Sequence, residues 1–136
     1  MASEDIEVVS TRRRAELART FFAEADVVSR LGIDRATLVA WREARRLLAV
    51  WFPPDERYLY PPCQFDEAGL IVEIEPILQY LQPWLGNQTG WGEVEWLMTP
   101  HASLDGQTPV EALGTDRGRV LEVAATEFSE DPSTHW

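Results

Sequence analysis

The feature of this sequence that most constrains its fold is the way glycine and proline divide its apolar periodicity into short helical runs. Apolar residues recur every three or four positions, as on one face of an amphipathic helix, but each run is short. The interruptions fall at Gly32, within residues 86–90, at Pro100 and at Gly114. Because glycine permits a tight corner and proline cannot continue a helix, these positions predict a mainly α fold of short helices.

Residues 24–48 predict two helices that are joined by a tight corner at Gly32. Asp34 follows the corner and is suited to cap the second helix, since its carboxylate accepts hydrogen bonds from the free amides of a first turn. Leu38 and Trp41 lie three residues apart, and we expect both on the buried face of the second helix. Two short helices in this order are typical of a helix-turn-helix motif.

Charge is distributed very unevenly along the chain. All twelve basic residues are arginines, the net charge is −11, and the C-terminal part from residue 58 onwards is strongly acidic. Within residues 30–46, however, arginines outnumber acids by five to two, so this segment is locally positive and suits a polyanion. We expect the second helix to enter a DNA groove, with base edges contacted from its first turn and phosphates from its later turns. The candidate DNA-binding residues are Arg35 and Thr37 for base edges and Arg42 and Arg45 for phosphates.

Strand formers follow the second helix. Residues 47–52 and 58–60 are rich in them, and the turn-forming cluster Pro53-Pro54-Asp55-Glu56-Arg57 separates the two runs, so the pattern predicts a small β-hairpin. Helical periodicity then returns over residues 75–85 and residues 91–98. The second of these helices is expected to stop at Thr99-Pro100, because proline ends a helix.

The sequence predicts the start of a helix most clearly at Thr108. Threonine at the N-cap, Pro109 at the first helical position and Glu111 three residues after the cap form the pattern of a capping box. Gly114 is expected to end this short helix, and Asp116 to cap the last one. The apolar face predicted for the last helix consists of Leu121, Ala124, Ala125 and Phe128.

The chain is poor in the side chains that catalysis requires. It has no lysine, two histidines and one cysteine, and His101 and Cys63 lack the paired spacing of zinc ligands. We therefore expect neither an enzyme nor a bound metal or cofactor. A single cysteine cannot form an intrachain disulfide, and no apolar run is long enough to span a bilayer, so we expect a cytoplasmic protein without membrane contact.

Three stretches of the C-terminal half resemble the toxin-binding domain of Xre/MbcA/ParS antitoxins. They are residues 96–100, with a Trp-Leu-x-Thr-Pro stop, residues 104–113, with a Leu-x-Gly-x-Thr-Pro helix start, and residues 119–121. The resemblance covers about residues 76–130. Upstream, residues 31–66 look like the DNA-binding half of shorter members of this group.

This resemblance implies the antitoxin of a type II toxin–antitoxin system. The usual partner in the family is a RES-domain toxin that degrades NAD, and the complex typically represses its own operon. For this chain, the resemblance implies neutralisation of the toxin by direct binding, without catalytic residues of its own. The partners expected are the cognate toxin, operator DNA and a second copy of the chain in a homodimer. The candidate toxin-binding residues are Trp96, Thr99, Pro100, Leu104, Gly106, Thr108, Pro109 and the tail residue Trp136.

We expect three parts along the chain. Residues 1–22 form an N-terminal part, whose helix is predicted over residues 11–23 and is expected to pack or dimerise. Residues 23–69 hold the helix-turn-helix and the hairpin, and residues 70–136 form a helical toxin-binding domain. Two alternatives stay open. The protein could be a stand-alone helix-turn-helix transcriptional regulator, which a gene without a toxin neighbour would favour, or a protein-interaction module without DNA binding, which the net charge of −11 favours.

Overall fold

The computed structural model of the protein describes residues 12–85 and 89–128. Within these ranges the fold is mainly helical, as the sequence predicts, with two small antiparallel β-hairpins where the sequence predicts one. The α-helices are α1 (residues 12–18), α2 (Glu24–Leu31), α3 (Arg35–Glu43), α4 (Ile74–Leu85), α5 (Trp91–Leu97), α6 (Pro109–Leu113) and α7 (Arg117–Phe128). The strands are β1 (Val50–Phe52), β2 (Arg57–Leu59), β3 (Phe65–Asp66) and β4 (Gly69–Leu70). Single turns of 3-10 helix span Pro53–Asp55, Pro62–Gln64 and Ala102–Leu104.

The corner between α2 and α3 has the predicted geometry. Gly32 adopts the left-handed conformation with φ of 66°, which costs other residues strain, and it ends α2. Asp34 then caps α3, because its carboxylate accepts a 2.8 Å hydrogen bond from the amide of Thr37. Val27 of α2 and Leu38 of α3 are completely buried between the helices. The corner between these two helices was therefore predictable from residues close together in the sequence, the glycine at the corner and the aspartate that caps α3.

Two expectations for the N-terminal half are wrong, and a third is met only in part. The helix predicted over residues 11–23 ends at residue 18, because the backbone of Phe22 pairs with that of Tyr60 in an isolated β-bridge. The second helix ends at Glu43, and Arg45 beyond it is left-handed with φ of 61°, so Arg45 is not on the outward face of α3. Trp41 packs against the cluster that contains Val27 and Leu38, as expected, but it is only half-buried, and the guanidinium of Arg46 lies over its ring.

The predicted β-hairpin is present, with shorter strands. β1 and β2 are antiparallel, with Val50 opposite Leu59, and the turn between them is the 3-10 segment Pro53–Asp55. β1 also bonds to the chain before α5, through the amide of Trp51 and the carbonyl of Thr89 at 2.8 Å. A second hairpin, β3–β4, was not predicted from the sequence.

Two apolar clusters hold the described part of the chain together. The helix-pair core consists of Val27, Leu38, Leu47 and Tyr60. The main core contains the buried apolar residues of α4 to α7, and Phe21, Val50 and Leu59 pack into the same cluster. The first hairpin thus contacts the C-terminal helices directly, across the boundary expected at residue 69.

The C-terminal helices begin and end close to their predicted positions. The capping box is complete, because Thr108 Oγ1 accepts from the amide of Glu111 at 3.1 Å while the Glu111 carboxylate accepts from the amide of Thr108 at 2.9 Å. The face predicted for α7 is partly wrong. Ala124 is buried, but Val120 and Val123 complete the buried face, whereas Leu121, Ala125 and Phe128 are half-exposed. The reason is that α7 packs against both α4 and α6, so its buried face is turned from the predicted face toward Val120 and Val123.

Candidate binding surfaces

The first turn of α3 carries the two residues expected to contact base edges. Arg35 is 77% exposed, and its Nε lies 2.6 Å from Glu24 Oε1 of α2. Thr37 is half-buried, and hydrogen bonds from Thr37 to Asp34 hold the pKa of that carboxyl below its usual range. Two carboxylates therefore lie beside the only arginine of this turn, and they oppose the approach of a phosphate.

Other arginines of the positive segment lie over aromatic rings. Arg42 places its guanidinium 4.0 Å from the ring centroid of Tyr58 and donates a 3.2 Å hydrogen bond to the hydroxyl of Tyr60. Arg30 lies 4.7 Å from the ring centroid of Phe22 in the same manner. Such contacts stabilise a fold by about 0.5–1 kcal/mol each at exposed sites. These arginines cover the edge of the helix-pair core.

Arg45 forms an ion pair that sequence reasoning missed. Its NH1 donates to Oε2 of Glu93 on α5, a carboxylate that is completely buried. The other oxygen, Glu93 Oε1, has no hydrogen-bond partner within the described part of the chain. Burial raises the pKa of Glu93, against the opposing attraction of Arg45. No periodic signal could have found this pair, because 48 residues separate its members.

The four candidate DNA-binding residues fall into two groups. Arg42 and Arg45 line one groove of about 530 Å³ between the end of α3, the first hairpin and the start of α5. Glu43 and Tyr58 line the same groove. Arg35 and Thr37 lie at the opposite end of α3. A phosphate in the groove would meet two arginines that already have intramolecular partners.

The candidate toxin-binding residues divide into buried and exposed sets. Trp96, Leu104 and Pro109 are buried, with Trp96 only 7% exposed, so they support the surface from below. Thr108 is half-buried and occupied in the capping box. The residues that solvent reaches are Thr99, Pro100 and Gly106. Trp136 lies outside the described residues.

The loop over residues 101–107 joins these residues into a closed unit. The amide of His101 donates to the carbonyl of Gln107 at 3.0 Å, and the amide of Gly106 donates back to the carbonyl of His101 at 2.9 Å. The ring of Trp96 packs beneath, 4.9 Å from the His101 ring and 5.8 Å from the Phe128 ring. Because the loop is closed and supported, its exposed side is a preorganised surface.

A separate groove of about 290 Å³ lies between α1 and α5. Its apolar lining residues are Leu17, Trp91, Val94 and Met98, and its polar lining residues are Arg13, Arg14, Glu95 and Thr99. The Arg14 guanidinium lies 5.2 Å from the ring centroid of Trp91.

Within the described ranges, no three histidine, cysteine, aspartate or glutamate side chains are grouped so that they could hold a metal ion. Burial raises the pKa of the Cys63 thiol to about 11, so this sulfur stays protonated and is a poor nucleophile. No helix in the described part is long and apolar enough to cross a membrane.

Comparison with known proteins gives no relative for this chain: no protein-family model matches it, and neither the curated proteins nor the solved structures contain a significant match.

Proposed function

We propose that this protein is the antitoxin of a type II toxin–antitoxin pair and neutralises a RES-type, NAD-degrading toxin by direct binding through its C-terminal helices. One observation carries the proposal. The residues on which the family resemblance rests are also those that form the corners of the fold: Thr99 and Pro100 follow α5, and Thr108 and Pro109 open α6. The resemblance thus concerns a structural framework and not scattered identities.

The loop over residues 101–107 and the adjacent Thr99 and Pro100 are the proposed contact surface. Its internal hydrogen bonds mean that little conformational entropy is lost on binding, which favours affinity. The surrounding helices expose acids such as Glu95, Glu111 and Glu127. An acidic surface speeds the capture of a basic partner and disfavours stray contact with nucleic acid.

Coexpression with the toxin of the adjacent gene tests this proposal. Pro100→Arg places a long cation on the proposed surface, and Pro54→Arg, in the exposed turn of the first hairpin, is the matched control. We expect P100R to lose copurification of the toxin and to let cellular NAD fall, whereas P54R keeps both. If P100R still protects the cell, or if P54R also abolishes protection, the toxin contacts a surface other than the one proposed. Absence of any complex with the wild-type chain would refute the antitoxin assignment.

We also propose that the protein represses its own operon by inserting α3 into a groove of the operator DNA. Arg35 and Thr37 are proposed to contact base edges, and Arg42 and Arg45 phosphates. Because Arg35 must leave Glu24, we expect weak binding per chain and dependence on a dimer. Arg35→Ala should cost about 1–3 kcal/mol on the upstream DNA, against no loss for Arg57→Ala in the hairpin.

A protein-interaction module without DNA binding is the competing function. The specific observation in its favour is that Arg35, Arg42 and Arg45 all have intramolecular partners, which reduces the positive charge available to phosphates. Titration of labelled upstream DNA at several salt concentrations separates the two functions. If neither the protein nor its toxin complex binds at low salt, the competing function holds.

A further inference from the structure

The groove between α1 and α5 has a defined chemical character. One side is apolar, with Leu17 of α1 facing Trp91 and Met98 of α5. Arg13 and Arg14, both exposed, give its rim a net positive charge, because Glu95 is the one acid among the described lining residues. At about 290 Å³ the groove lies at the lower end of the range for small-molecule sites. Its chemistry suits a peptide segment that carries acidic and aliphatic side chains side by side.

Such a segment lies two residues before α1 in the sequence. Residues 4–9 read Glu-Asp-Ile-Glu-Val-Val, three acids among three aliphatic residues. Ser10 and Thr11 separate Val9 from the start of α1 at residue 12, and two residues are the length of a tight turn that brings the chain back along the helix. We propose that residues 4–9 occupy the groove, with their acids paired to Arg13 and Arg14 and their aliphatic side chains on Trp91 and Met98.

The acidic tail over residues 129–136 fits the groove less well. It has acids at Glu130 and Asp131 but no aliphatic side chain. It also follows Phe128, whose ring packs on Trp96. At 100° per residue, Trp96 lies on the side of α5 away from the groove-lining positions 91, 94, 95 and 98. The tail therefore starts on the wrong side of this helix.

The two methionines of the chain, Met1 and Met98, provide a direct test in the full-length protein. With methionine methyl groups labelled by carbon-13, the Met98 resonance reports on the groove. Reversing the segment with Glu4→Arg, Asp5→Arg and Glu7→Arg should shift this resonance, because the aliphatic side chains leave the groove. Reversing the rim with Arg13→Glu and Arg14→Glu should shift it as well, and combining both sets should return it toward its wild-type position.

Matched variants decide between occupants. Ile6→Asp with Val8→Asp leaves α1 and α5 unchanged and should shift the Met98 resonance as the charge reversal does, even if the rim variant fails to fold. Glu130→Arg with Asp131→Arg should leave it in place. The proposal is overturned if the segment variants do not move the resonance, or if the tail variant moves it. Failure of the combined set to restore the signal overturns the pairing with Arg13 and Arg14.

Discussion

The helix-pair core and the main core are stabilised in different ways. Among the described residues, the helix-pair core has four fully buried apolar side chains, and arginines cover its aromatic edge, as Arg42 does on Tyr58 and Arg30 on Phe22. The main core relies on apolar burial from four helices and a hairpin, between chain corners set by prolines, glycines and caps. Arginines that the sequence suggests are available for DNA thus pack over aromatic rings of the helix-pair core.

This difference shows that the net charge of a segment can exceed the charge that it offers to a ligand, because some of its arginines already have intramolecular partners. Arg45 makes the point most clearly, because it connects the two regions by pairing with the buried Glu93 of α5. An arginine in that position stabilises a buried carboxylate, so less of its positive charge is available to a phosphate. The predictions below test how far the two regions differ, beginning with the largest expected effect.

Trp91→Ala should lower the free energy of unfolding by about 3–5 kcal/mol, the usual cost of truncating a large aromatic side chain in a core. Trp91 is 4% exposed, stacks on Phe21 at 6.0 Å and donates from Nε1 to the carbonyl of Trp51 at 2.8 Å. Urea unfolding followed by circular dichroism measures the change. A loss below about 1 kcal/mol would contradict the main core as described.

Arg45→Gly should cost about 3 kcal/mol, the lower end for breaking a buried ion pair, because the Arg45 side chain is 28% exposed. Glycine tolerates the left-handed backbone at this position, so the loss reports on the charge and not on strain. Arg57→Gly in the exposed hairpin is the control. Equal effects of the two variants would mean that the connection between the cores contributes nothing.

The same pair predicts a pH dependence. Burial raises the pKa of Glu93, so the folded state holds this proton more tightly than the unfolded state does. The free energy of unfolding should therefore fall as pH rises from the unfolded pKa through the raised folded pKa. Glu93→Gln should lose this contribution, which is seen as the difference between its pH profile and that of the wild type. Profiles that run parallel would show that Glu93 ionises normally.

Trp41→Ala should cost only about 1–2 kcal/mol, within the range of ordinary substitutions, because this ring is half-buried and lies under Arg46 at 4.9 Å. A full core position would give the larger loss expected for Trp91. Thermal unfolding of the two variants side by side makes the comparison. If Trp41→Ala matches Trp91→Ala, the helix-pair region depends on buried area as the main core does.

Thr108→Ala should cost about 1 kcal/mol, since it removes the N-cap of α6 and half of the capping box. Thr126→Ala, at an exposed position of α7, is the matched control and should be near neutral. Chemical denaturation resolves a difference of this size. A neutral Thr108→Ala would show that packing of α6, and not its cap, determines where this helix begins.

The sequence by itself determined where most helices begin and end. Gly32 and Asp34 define the corner before α3, and Thr108 with Pro109 opens α6, because caps and left-handed turns depend on residues within one helical turn of each other. The same locality explains why the first hairpin was predicted. The family resemblance, and with it the proposed function, also came from these corner residues.

Only the tertiary structure decided which charges are free and which faces are buried. The partner of Arg45 lies 48 residues away, and the pairing of Phe22 with Tyr60, which follows the early end of α1, is likewise remote in sequence. The buried face of α7 depends on two helices that pack against it at once. Long-range pairs of this kind leave no periodic signal along the chain, because they result from how the helices pack together and not from the sequence of any one helix.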